Sequence, residues 1–171
     1  PPEVTGATKK DLQAEIQKLD DDVQIVNETI KDMKSDDASV KMQDALLKIN
    51  NVKQLIQNQN QPNDMNKVND TLESARKAVN VVQGVANIYT SQLKAESTAA
   101  EQDDHEEVIK IINESISAIQ HQSSNIEDAL VQRMSSEAIS ELEKLRVREE
   151  HMAQSEKNLQ KIMAILSSLN H

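Results

Sequence analysis

Residues 65–93 read MNKVNDTLESARKAVNVVQGVANIYTSQL. Within this stretch Met65, Val68, Leu72, Ala75, Val79, Val82, Ala86, Tyr89 and Leu93 recur at alternating spacings of three and four. Such spacing follows the helical turn and lines the apolar side chains up in one stripe, whereas a half-buried strand would alternate every second residue. Held over four heptads, it is the seam of a helix packed lengthwise on other helices. Gly84 lies inside the segment but off the seam, at a cost of about 1 kcal/mol relative to Ala.

The same rhythm runs upstream. Leu12, Ile16, Leu19, Val23, Val26, Ile30 and Met33 form an unbroken seam, and Thr8 with Asp11 has the spacing of a capping box, which predicts a first helix over 8–34. Ser35, Asp36 and Asp37 offer caps for a second helix over 37–60, with Met42, Ala45, Ile49, Val52 and Ile56 as its seam. Residues 57–64, rich in Gln and Asn and containing Pro62, read as a polar connector and as a candidate recognition tip.

Downstream, residues 101–107 carry five acids and no base, as suits the positive end of a helix dipole, and Ile109, Ile112, Ile116, Ile119, Ser123, Ile126 and Leu130 follow. This predicts a fourth helix over 102–134. Ser135 and Ser136 suggest a new start, and a fifth helix over 137–169 has Ala138, Leu142, Leu145, Met152, Leu159, Ile162 or Met163, Leu166 and Leu169 on its seam. Glu149 and Glu156 fall where apolar residues belong. The expected fold is therefore all-α. It is a single elongated antiparallel helical bundle over 1–171, coiled-coil-like, with about five long helices: a hairpin in 1–60 and three longer helices in 64–171.

Composition agrees with that reading. The chain of 171 residues has one Tyr and neither Phe nor Trp, so its seams draw on Leu, Ile, Val, Ala and Met. Two Gly and three Pro leave little material for the turns of a strand-rich fold. The net charge of −10 repels phosphate backbones and anionic surfaces, which argues against a nucleic-acid partner. No apolar run approaches the roughly 20 residues that span a bilayer. Without cysteine there is no disulfide, thiolate zinc site or cysteine nucleophile.

Motifs for chemistry are missing as well. The residues three before His105, His121, His151 and His171 are Gln102, Ala118, Arg148 and Ser168, so the Glu-x-x-His pairs of di-iron bundles are absent, and no His-Glu-x-x-His occurs. Asp103, Asp104, Glu106 and Glu107 lack the glycine and alternating ligands of a calcium loop. Gly6 and Gly84 stand alone, which closes the phosphate-loop reading. No catalytic, metal or cofactor residues are assigned.

One polar constellation stands out. A hairpin turning near Ser135 would set Gln120, His121, Ser123, Ser124 and Asn125 against Arg146, Arg148, Glu149, Glu150 and His151. Such a layer, with Ser123 and Glu149 on the seams, either fixes register or forms a mid-bundle binding site. The candidate binding residues are His121, Ser123, Ser124, Arg148, Glu149 and His151. Asn27, Asn69 and Asn113 begin glycosylation sequons, which have meaning in a secreted eukaryotic protein.

The expectation is a non-enzymatic helical interaction module, secreted or part of an ectodomain, that recognises a protein partner through an elongated acidic surface. Self-association is a further expectation, because apolar surface is left over on the third and fifth helices. The alternative is a sensory or carrier domain that holds a small polar solute, or an apolar ligand such as a lipid, within the bundle.

Overall fold

A computed structural model describes residues 6–57 and 65–170. Among them the chain is all-α, with helices α1 (Gly6–Met33), α2 (Asp36–Gln57), α3 (Met65–Glu101), α4 (His105–Asn125) and α5 (Ala129–Leu169), and no strand. The connector with Pro62 and the last residues expected of the second helix lie outside the described residues.

The chain divides into two compact units. The first comprises Pro1–Asn87 with Ile126–Val131. In it α1 packs along α2, and the expected seams supply the core: Ile16, Val23 and Ile30 face inward from α1, and Met42, Ala45, Ile49, Val52 and Ile56 from α2. An ion pair of Lys53 with Asp20 at 3.1 Å fixes the antiparallel register at the seam's edge, and Arg76 of α3 reaches Glu15 of α1 at 2.6 Å. Each fully buried aliphatic side chain contributes about 1.5–3 kcal/mol. The apolar seam, not the surface ion pairs, therefore holds this unit.

Helix α1 already runs at Gly6, so Thr8 lies within it and the capping box does not mark its start. Its end is sharper. Lys34 takes φ 51°, the left-handed conformation that closes a helix, and its N–H donates to the Lys31 carbonyl. Ser35 then caps α2, its Oγ accepting from Ala38 N–H at 3.2 Å. A Cβ makes the left-handed region costly, so Lys34→Gly is expected to raise the unfolding free energy by about 1 kcal/mol, measured by urea denaturation.

Helix α3 passes from the first unit into the second. Over Ala78, Val79, Val82, Gly84, Val85, Ala86 and Ile88 its buried positions spread around most of the circumference, so Gly84 is a buried residue rather than a surface one. Leu93, expected on the seam, is exposed, and Ala95 is buried in its place.

The second unit comprises Ile88–Asn125 and Gln132–His171. Asp104 caps α4, its Oδ1 accepting from Glu107 N–H at 3.2 Å, so Asp103 and Asp104 precede the helix while Glu106 and Glu107 lie in its first turn, as the acidic run led one to expect. The α4–α5 turn corrects the sequence reading most. It falls at residues 126–128, not at Ser135, and the expected fourth and fifth helices exchange about two helical turns. Asp128 caps α5 through Val131 N–H at 3.0 Å and receives Lys41 Nζ at 2.6 Å, within the first unit. Burial by itself raises the Asp128 carboxyl, but these hydrogen bonds outweigh it and hold the group below the usual carboxylate range. Ser135 is left inside α5 and buried.

Candidate functional site

The displaced turn rearranges the expected polar layer. His121, Ser123 and Ser124 occupy the last turn of α4, where they serve its C-terminus: Ser123 Oγ donates to the Gln120 carbonyl at 3.0 Å, and Asn125 Nδ2 donates to the His121 carbonyl at 2.8 Å. Arg148, Glu149 and His151 lie far along α5, opposite the start of α4. The structure does not bring the two groups together, and the mid-bundle layer as read from the sequence is not formed. Arg146 instead donates to Asn113 Oδ1 at 2.8 Å, inside one of the sequons.

Glu149 does find a partner. Its side chain is 3% exposed and accepts from His105 Nδ1 at 2.5 Å. The other ring nitrogen, Nε2, lies 3.3 Å from Glu156 Oε1. The two acids that interrupt the α5 seam, seven residues apart, are thus the two neighbours of one imidazole. A neutral ring has a single N–H and leaves one carboxylate facing a lone pair, whereas the imidazolium donates to both. The hydrogen bond to Glu149 accordingly raises the His105 pKa above the ordinary imidazole value, burial opposes it, and the charges of Glu149, Glu156 and Asp103 add to the rise. One residue further along each helix, Lys157 meets Glu106 at 3.2 Å. These contacts tie the first turn of α4 to α5.

Arg148 and His151 are exposed. Arg148 lines an open groove of about 480 Å³ in the second unit, with Glu96, Ala99, Ala100, Glu141, Lys144 and Leu145. Its apolar floor is two alanines and a leucine, and Lys144 is already paired with Glu141 at 3.3 Å. Small-ligand sites are predominantly apolar, with a few polar groups aimed inward. This groove has the opposite balance.

The feature that dominates the second unit lies further along α5. The seam that buries Ala138 and Leu142 continues past Glu149, where the first turn of α4 reaches Glu156 and Lys157 and the apolar side chains stay open to water. Met152, Leu159, Ile162, Met163, Ile165, Leu166 and Leu169 are each 43–76% exposed. At 100° per residue they fall within about 160° of the helix circumference, with Lys157 and Lys161 on the opposite side. Their spacing was legible in the sequence; that α4 does not accompany α5 past Lys157 was not. Among the described residues no helix is long and apolar enough to cross a membrane, and no cluster of three or more His, Asp or Glu is arranged to hold a metal ion. No protein family, curated protein or solved structure matches this chain.

Proposed function

We propose that this protein is a non-enzymatic helical interaction module, and that residues 152–169 of α5 are its contact surface for a helical protein partner. The observation that carries the reading is the division of one seam. Its first half is core, and its second half, equally regular, is left open to water. Monomeric proteins rarely expose contiguous apolar patches beyond a few hundred Å², and larger ones mark sites of interaction. The three-and-four spacing fits the ridges of another helix, as in helix-in-groove and coiled-coil recognition.

Stability supports the same conclusion. Isolated helices of about 15 residues are marginal in water and draw most of their stability from tertiary packing. A partner helix on the stripe supplies that packing. The acidic remainder of the chain keeps the protein soluble and turns away anionic surfaces.

The reading is tested by placing the photocrosslinker p-benzoylphenylalanine at Met163, on the stripe, or at Lys157, on the opposite face, and irradiating in the native milieu. Protein adducts are expected from Met163 and not from Lys157. Equal yields from the two positions, or none from either, would overturn the assignment.

A further inference from the structure

We infer that the occupant of the α5 stripe is a second copy of this chain, with the two stripes packed antiparallel about a twofold axis. The inference rests on the proposed role of residues 152–169 and names the partner.

Area is the first argument. Seven large apolar side chains, each about half or more exposed, present on the order of 800 Å² in each copy, which is the share a standard-size interface takes from each partner. A twofold contact requires one patch to complement itself. The stripe does so, because its one acid, Glu156, sits at its edge and off the twofold axis, and its nearby cations, Lys157 and Lys161, point away from it. Two stripes can close without bringing like charges together.

Register follows from the heptad. With Met152, Leu159 and Leu166 at one seam position and Ser155, Ile162 and Leu169 at the other, antiparallel pairing sets Met152 against Leu169, Leu159 against Ile162, and Ser155 against Leu166 of the second copy. The small Ser155 leaves room for the leucine opposite. Ile165 and Met163 flank the seam and widen the contact.

Charge decides the direction. The chain carries −10 in all, and residues 157–171 carry +2 from Lys157 and Lys161, so residues 1–156 carry −12. A parallel pair would set Glu156 of one copy beside Glu156 of the other. The antiparallel pair, in the register above, sets Glu156 against Ile165 of the second copy and holds the two carboxylates nine residues apart. A bilayer is disfavoured by the same count, since a net charge of −10 repels an anionic surface.

The test is sedimentation equilibrium of the intact chain from 1 to 200 µM, repeated on Leu159→Glu/Leu166→Glu. Wild-type protein is expected to reach the dimer mass. The double variant should weaken association on the order of 100-fold or more, since it buries unpaired carboxylates, while circular dichroism keeps the α1–α4 helical signal. In a chain without cysteine, Glu143→Cys carries a single spin label. The antiparallel dimer should separate the two labels by about 50 Å, from 1.5 Å rise per residue. A wild-type protein that stays monomeric at 200 µM overturns the inference, as does a dimer untouched by the double variant, a label distance below about 30 Å, or recruitment of the monomer to phosphatidylserine vesicles through the stripe. A monomer whose Met163 crosslinks to a different protein refutes the second copy and leaves the proposed contact surface standing. Failure of that crosslink as well removes both.

Discussion

Leu142→Ala is expected to lower the unfolding free energy by about 2–5 kcal/mol, while Leu159→Ala, on the same seam of the same helix, changes it by less than about 0.5 kcal/mol in dilute protein. Leu142 is fully buried in the second unit, and its truncation removes apolar contacts and leaves a cavity that the surrounding side chains fill only in part. Leu159 is more than half exposed and touches little that its loss would disturb. The sequence pattern around the two residues is nearly the same. What separates them is that α4 begins at His105, so α5 has no α4 beside it beyond the reach of that first turn. Urea denaturation at micromolar concentration measures both. Similar losses at the two positions would mean that the stripe is covered by the chain itself.

His105→Ala is the second large effect. It leaves the Glu149 carboxylate buried with no cation, and removing one partner of a buried ion pair is far more costly than never having built it, so the melting temperature is expected to fall on the order of 10 °C. The double variant His105→Ala/Glu149→Leu should recover most of the loss, because the carboxylate is replaced by the apolar residue that the seam otherwise carries. Stability should also depend on pH in a particular direction. The folded-state pKa of His105 lies above its ordinary value. Its contribution is therefore complete below the ordinary imidazole range and is lost as pH rises through the higher folded value. Glu149, Glu156 and Asp103 face the ring, with the Lys157–Glu106 pair beside them. Thermal melts of wild type should lose stability on going from mildly acidic to mildly alkaline pH, and His105→Ala should flatten that part of the profile.

The helices and most of the core were legible because the seams of α1 and α2 are strict: Ile16, Val23, Ile30, Ile49, Val52 and Ile56 are read as inward-facing from spacing alone and are buried. The α4–α5 turn was not, because it contains neither Gly nor Pro. Ser135 and Ser136 resemble a cap but sit inside α5, whereas Asp128, three residues before Val131, is the cap that the chain uses. That misplacement carried the polar layer with it. Once the register moves by about two turns, His121, Ser123 and Ser124 no longer face Arg148, Glu149 and His151. A charge buried on the α5 seam needs a partner, and for Glu149 that partner is His105. A heptad alone does not say where a neighbouring helix starts or ends, so it cannot tell a seam that is filled from one that is open.

Hydrogen exchange followed by mass spectrometry on dilute, monomeric protein tests the division of α5 most directly. Amides of residues 152–169 should exchange orders of magnitude faster than those around Ile112 and Leu142, and should gain protection when a helix seats on the stripe. Protection of 152–169 equal to that of the buried segment in the monomer would contradict the account.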